Sequence, residues 1–313
     1  MPKILQIGGA TDAMLARLSA FDITELYGLA DAPAWLAQNG AGIEYVLTNG
    51  HDGIKPDVMA ALPDVKLISC YGVGYDAIDT TTAVERGITV THTPNVLNDE
   101  VATTTIMLML ACYRNLINDD AYVRAGKWEA EGNTPLTRSA DNRRVGILGL
   151  GRIGQAIADK LAAFNSDISY HSRNQKDVPY KYYGDLTEMA RDVEVLICIT
   201  PGGPATDKIV NREVIEALGS DGTLINVSRG SVVDEAEMIA ALSDGRLGWA
   251  GLDVFEAEPK VPAELRALKN VVLLPHVGSA TVETRAAMGN LTVDNILQYQ
   301  KDATVISAVP ECK

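Results

Sequence analysis

The sequence predicts an α/β fold made of parallel sheets in two domains, and three observations predict it. Short apolar runs alternate with stretches of helical apolar spacing in two separate series, one before about residue 90 and one after Arg143. The second series opens with Val145-Gly-Ile-Leu-Gly-Leu-Gly-Arg-Ile-Gly154, a buried-strand run that passes into a glycine turn and then a helix. An apolar tail, Ala303 to Val309, follows a long final helix and is expected to return to the first series. The expected division is 1–97 plus 286–313 for the first, discontinuous domain and 98–285 for the second. Each is a doubly wound, Rossmann-like unit.

In chain order, Ile4 to Ile7 is a short strand ending at Gly8-Gly9. Further strands are expected at Tyr45–Thr48, Lys66–Cys70 and Ile88–Val90, with helices near 11–20, 31–39, 56–62 and 79–86 between them. This series has no dinucleotide-type glycine pattern and is read as the substrate side. Asn98 reads as an N-cap, with Asp99 and Glu100 in the first turn of a long apolar helix reaching about Leu116. Such a helix is expected to cross between the domains. Gly126 to Asn142 is polar, with Gly, Pro and Trp128, and is either a plain loop or an arm onto a second subunit. In the second series, strands are expected near 145–149, 167–171, 194–199, 223–227, 248–253 and 271–274. Helices are expected near 153–164, 185–191, 211–218 and 234–243, and a last one from about Thr281 to Gln300.

Composition narrows the function classes. The chain has 313 residues, enough for two cores, and 47% hydrophobic with 22% charged residues is ordinary for a globular protein. No apolar run is long enough to span a bilayer, and the N-terminus enters strand-like sequence with no signal-peptide layout. A net charge of −14 argues against nucleic acid and anionic membrane as partners, so an anionic ligand needs a local positive site. Cys70, Cys112, Cys198 and Cys312 are widely spaced, and the first three lie in apolar runs. Buried thiols in a reducing cytoplasm fit this better than disulfides or a metal centre, and no metal is expected.

The strand, turn and helix around Gly149, Gly151 and Gly154 give G-x-G-x-x-G its dinucleotide context. The first glycine permits the tight turn, the second lets backbone N–H groups approach a pyrophosphate, and the third lets the helix pack on the strand. Leu150, Arg152 and Ile153 complete that turn. An NAD site carries an acidic residue at the end of the second strand, on the ribose 2′-hydroxyl. Here that place is taken by His171 or Ser172, followed by Arg173, Asn174 and Lys176. A carboxylate would repel a 2′-phosphate, whereas an Arg with hydroxyl and amide neighbours would bind it, so the cofactor is read as NADP(H).

Three residues at predicted strand ends could carry chemistry. Arg229 follows Leu224-Ile-Asn-Val-Ser and offers a guanidinium fork to a carboxylate. Glu258 follows Gly251-Leu-Asp-Val-Phe, and His276 follows Leu273-Leu-Pro. One sheet thus brings Arg, Glu and His to its carboxyl edge, where ligands of such sheets bind. Of the four histidines, His51 and His92 end strands of the first series and His171 lies on the cofactor loop.

These segments resemble the D-isomer-specific 2-hydroxyacid dehydrogenases along nearly the whole chain. The matching motifs are Gly72-Val-Gly-Tyr-Asp76, Thr93-Pro-Asn-Val96 with Asn98-Asp99, the glycine turn, Asn226-Val-Ser-Arg-Gly230, Gly251 to Pro259, and Pro275-His-Val-Gly-Ser-Ala-Thr281. The loop His171-Ser-Arg173 resembles the bacterial NADPH-dependent glyoxylate/hydroxypyruvate reductases in particular. The resemblance implies that Arg229 binds the substrate carboxylate and polarises the 2-oxo group. It implies that His276 donates the proton and that Glu258, not Glu256, orients His276. It also places the backbone N–H groups of Val73 and Gly74 on the substrate carboxylate, and Thr200, Pro201, Val227, Ser228 and Asp253 on the cofactor, Asp253 near the nicotinamide. A homodimer built through the cofactor domain is implied as well.

The expected activity is NADPH-dependent reduction of a small 2-oxo acid, glyoxylate or hydroxypyruvate, to the 2-hydroxy acid. Two other readings stay open: a bulkier 2-oxo acid such as phenylpyruvate or hydroxyphenylpyruvate, and a nucleotide-sensing binding protein of the same fold. His51, Tyr71 and Tyr75 are candidate pocket residues that could equally be packing or turn structure.

Overall fold

A computed structural model describes residues 1–312. It divides the chain into two units, Met1–Leu97 together with the segment from Ala280 onward, and Asn98–Ser279. The first unit holds β1 (Lys3–Gln6), β2 (Asp22–Glu25), β3 (Ile43–Asn49), β4 (Leu67–Tyr71) and β5 (Thr89–Thr91). They form an all-parallel sheet in the order β2-β1-β3-β4-β5. Successive side chains of a strand point to opposite faces, and both faces are buried here. Leu5, Val46 and Ile68 enter one core layer, while Ile4, Tyr45, Leu47 and Leu67 enter the other. The helix Val282–Asp302 supplies Val293 and Ile296 to that second layer. After it the tail returns, and Val309 N–H donates to the Val90 carbonyl at 2.9 Å beside an antiparallel bridge between Thr91 and Ala308.

The second unit holds β6 (Arg144–Leu148), β7 (Asp167–His171), β8 (Lys181–Tyr182), β9 (Val195–Cys198), β10 (Thr223–Asn226), β11 (Trp249–Leu252) and β12 (Val271–Leu273). Their order is β12-β11-β10-β9-β6-β7-β8, again all parallel. The chain runs outward from β6 through β7 and β8, then resumes on the other side of β6 with β9. That reversal makes the carboxyl end of β6 the switch point, where such sheets bind ligands. Helices between the strands start at polar caps, as Asp185, Asn211 and Asp234 accept from the N–H three residues on, at 2.9, 3.2 and 3.3 Å.

Several local expectations are corrected. The long apolar helix spans Asn98–Tyr113 and belongs entirely to the second unit, where ten of its residues are buried. It stops short of Leu116 because Asn115 adopts a left-handed conformation (φ 53°), and a separate helix Leu116–Arg124 starts there. The polar stretch after Gly126 is not all loop, since Lys127–Glu131 is a short helix. Edge strands β2 and β8 were not expected from the sequence. Among the described residues no helix is long and apolar enough to cross a membrane, and no group of His, Cys, Asp and Glu is arranged to hold a metal ion.

Candidate active site

The glycine turn lies at the carboxyl end of β6. Gly149 has φ +102°, and a Cβ there would stand 2.8 Å from the Ile199 carbonyl oxygen, so both conformation and space exclude a side chain. A Cβ on Gly154 would meet the Gly149 carbonyl oxygen at 2.3 Å, so the helix Arg152–Leu161 sits directly against the turn. Gly151 differs from both. Nothing lies within 4 Å of its Cβ position, which leaves the helix N-terminus open to a ligand. Unpaired first-turn N–H groups and the positive helix end favour an anion there.

The second strand of this unit, β7, ends at His171, whose Nδ1 donates to the Tyr183 carbonyl at 2.9 Å. Ser172 Oγ donates to the Asn174 carbonyl at 2.7 Å and folds the next residues into a turn. Arg173, Asn174 and Lys176 are exposed on that turn, and no carboxylate occupies the strand terminus. Thr200 and Pro201 follow β9, where Thr206 Oγ1 donates to the Pro201 carbonyl at 2.7 Å.

Arg229 follows β10 by three residues and is held by a buried asparagine. Asn226, 1% exposed, accepts from Ser228 N–H and Oγ at 3.1 and 2.7 Å and donates from Nδ2 to the Arg229 carbonyl at 3.0 Å. The Arg229 guanidinium donates back to the Ser228 carbonyl at 2.8 Å. Gly230 is pressed against the neighbouring loop, since a Cβ would lie 1.9 Å from the Phe255 carbonyl carbon. Val227 and Ser228 are buried within this turn, and Val227 N–H donates to the Cys198 carbonyl at 3.2 Å.

Glu258 and His276 meet at the ends of adjacent strands. Glu258 Oε2 lies 2.8 Å from His276 Nδ1, while its other oxygen accepts from Phe255 N–H at 3.0 Å. The glutamate side chain is 17% exposed and the imidazole 43%. His276 has φ 54°, a sparsely populated conformation for a residue with a side chain. Asp253 holds it there. Its oxygens accept from Val277 N–H at 2.7 Å and Gly278 N–H at 2.8 Å, and its carbonyl accepts from His276 N–H at 2.9 Å. Asp253 is 2% exposed, and burial pushes its carboxyl above the ordinary range against the pull of those two amides.

In the first unit, Val73 and Gly74 lie in the turn after β4. Among the described residues neither of their N–H groups meets an acceptor. Tyr71 Oη donates to the Arg285 carbonyl at 3.2 Å and Tyr75 Oη to the Glu311 carboxylate at 3.1 Å, while His51 is exposed. Asn226 is thus the residue that shapes the Arg229 turn, a role the sequence pattern does not assign to it. In the sequence it is a polar amide that ends an apolar strand and opens the Asn226-Val-Ser-Arg-Gly230 motif.

A sequence profile described as D-isomer specific 2-hydroxyacid dehydrogenase, NAD binding domain, matches residues 106–278. The chain is 48% identical over 263 residues to hydroxyphenylpyruvate reductase of Plectranthus scutellarioides, covering 84% of each chain. It is 44% identical over 290 residues to glyoxylate/hydroxypyruvate reductase A of Arabidopsis thaliana, covering 92% of each. Among solved structures, an NADPH-dependent glyoxylate/hydroxypyruvate reductase of Sinorhizobium meliloti, in complex with NADP and malonate, superposes with a TM-score of 0.94. Its identity is 42%, over 99% of this chain and 97% of that one.

Proposed function

Because the chain belongs to the D-isomer specific 2-hydroxyacid dehydrogenase family, we propose that it reduces small 2-oxo acids with NADPH. Glyoxylate and hydroxypyruvate are the substrates, and glycolate and D-glycerate the products. The observation that carries this reading is the Glu258–His276 pair at the carboxyl edge of the same parallel sheet whose β6 bears the glycine turn.

The residues present suit the dinucleotide. Leu150, Arg152 and Ile153, with Gly149, Gly151 and Gly154, would hold the pyrophosphate at an unobstructed helix N-terminus. Ser172, Arg173 and Asn174 would hold the 2′-phosphate through an exposed guanidinium and its polar neighbours. Thr200, Pro201, Val227 and Ser228 would line the rest of the cofactor, and Asp253 would sit near its nicotinamide end. When bound, NADPH supplies the hydride that reaches C2 of the substrate.

The chain's own groups supply charge and a proton. Arg229 binds the carboxylate and polarises the 2-oxo group, using the planar fork that suits a carboxylate. The amides of Val73 and Gly74 donate to that carboxylate as well. His276 hands the proton on its Nε2 to the ketone oxygen as charge develops there, because Nδ1 is committed to Glu258. Glu258 fixes the ring orientation and balances the charge of the imidazolium.

The exposed side chains of Leu116, Ile117, Val123, Trp128 and Leu136 crowd one stretch of the second unit, which supports assembly as a homodimer through that stretch. Four free cysteines, three of them buried, support a cytoplasmic location.

A bulkier 2-oxo acid such as hydroxyphenylpyruvate is the second reading, favoured by the Plectranthus relative. The test measures oxidation of NADPH and NADH with glyoxylate, hydroxypyruvate, phenylpyruvate and hydroxyphenylpyruvate. The expected order puts NADPH above NADH and the two small acids above the aromatic ones. Preference for an aromatic acid selects the second reading. Nucleotide binding without turnover of any acid selects a sensing protein instead.

A further inference from the structure

In the turn after β4, two successive peptide groups are clamped by two successive residues. Thr93 N–H donates to the Gly72 carbonyl at 2.8 Å, and His92 Nδ1 lies 2.9 Å from the Val73 carbonyl oxygen. A carbonyl only accepts, so that ring nitrogen carries the proton. In a planar trans peptide the N–H points away from its own C=O. Holding the Gly72 and Val73 carbonyls therefore aims the N–H groups of Val73 and Gly74 the opposite way, as a pair. Those are the two amides that meet no acceptor among the described residues.

His92 is firmly seated for this task. It is 8% exposed. Its N–H donates to the Ser307 carbonyl at 3.2 Å, and its carbonyl accepts from Ser307 Oγ at 2.6 Å. Ser307 is held in turn by Asn295 Nδ2 at 2.8 Å. The Tyr75 ring meets the imidazole edge-on, with centroids 5.2 Å apart, and Tyr75 is tied to Glu311 of the returning tail. The imidazole thus has little freedom to release the carbonyl.

We propose that His92 is a positioning residue for the substrate carboxylate. Its Nδ1–H fixes the Val73–Gly74 peptide so that the Gly74 and Val73 N–H groups present two donors to one anion. Donation to the Val73 carbonyl also polarises that peptide and makes the Gly74 N–H a stronger donor. The inference rests on the reading that these two amides bind the carboxylate.

The test compares His92→Leu, His92→Phe, His92→Asn and Gly74→Pro by steady-state kinetics with glyoxylate and by NADPH binding. Leu and Phe lack the donor, and Phe keeps a flat ring beside Tyr75 should Leu fail to fold. Asn places an amide nitrogen the same number of bonds from the backbone as Nδ1. The Leu and Phe variants are expected to raise KM for glyoxylate by about tenfold, with the Kd for NADPH unchanged. The Asn variant is expected to restore KM to within about threefold of the parent. Gly74→Pro deletes one donor outright and is expected to raise KM at least as much. If it raises KM while the Leu and Phe variants do not, the role of His92 is overturned and the carboxylate site stands. If Gly74→Pro leaves KM unchanged, the carboxylate site itself falls, and the proposal with it. An Asn variant as impaired as the Leu variant would also overturn the proposal, because the donor would then not be what matters.

Discussion

Glu258 and His276 are 18 residues apart in the chain, yet Oε2 of the first lies 2.8 Å from Nδ1 of the second. The contact follows from topology. β11 and β12 are parallel neighbours, so the residues that follow them emerge at the same edge of the sheet. Both glutamate oxygens are committed, one to the imidazole and one to Phe255 N–H.

That double commitment makes Glu258→Gln a sharp test. The amide can accept with only one atom, so either the ring or the Phe255 loop loses its partner. We expect kcat to fall by about 10- to 100-fold, with the Kd for NADPH unchanged. Stopped-flow turnover and fluorescence titration check the two halves separately.

Arg229→Lys keeps the charge and removes the fork. The expected result is a rise in KM for glyoxylate together with a fall in kcat, for a loss of about 10²- to 10³-fold in kcat/KM. A change in KM alone would mean that the guanidinium serves binding and not the developing charge.

Asp253→Asn turns one of two acceptors toward an N–H as a donor. The loop carrying His276 should loosen, costing about 1–3 kcal/mol of stability because a buried N–H loses its partner. Denaturant unfolding measures the loss, and kcat should fall in parallel because His276 holds its φ of 54° only while that loop is anchored.

Glu194 gives a pH dependence with a definite sign. Burial alone would raise its carboxyl, but the Arg144 N–H and the Arg143 guanidinium, 2.6 Å away, together with the Arg144 charge hold it below the ordinary range. A carboxyl depressed on folding contributes stability above its unfolded pKa and loses it as the pH falls through the folded one. Glu194→Gln should therefore melt below the parent at neutral pH, and the gap should close below about pH 4. Thermal unfolding across that range checks it, and a gap that widened on acidification would contradict the pairing.

Much of the fold was legible because both sheets bury both faces. Apolar runs such as Val195–Cys198 and Thr223–Asn226 then stand out against the polar caps between them. β2, with the sequence Asp-Ile-Thr-Glu, escaped notice because it is an edge strand with no buried residue. The helix break at Asn115 was hidden by the apolar residues just after it, Leu116 and Ile117, which are exposed rather than core. At the candidate site the strand-end positions of Arg229, Glu258 and His276 could be read from the order of elements. The choice between Glu256 and Glu258 could not, since both are acidic residues of one loop. The structure turns Glu258 to His276 and leaves the Glu256 carboxylate 3.8 Å from Lys208 Nζ. Asn226 acts on the turn directly after its own strand, whereas Asp253 acts through backbone groups 24 and 25 residues further on, which no local pattern announces.

The most direct measurement is the rate of NADPH oxidation by glyoxylate in His276→Ala beside the parent enzyme, with NADPH affinity measured on both. Proton donation by His276 predicts a fall in kcat of about 10²- to 10⁴-fold at unchanged nucleotide affinity. A kcat equal to that of the parent would contradict it and leave the imidazole with a structural role alone.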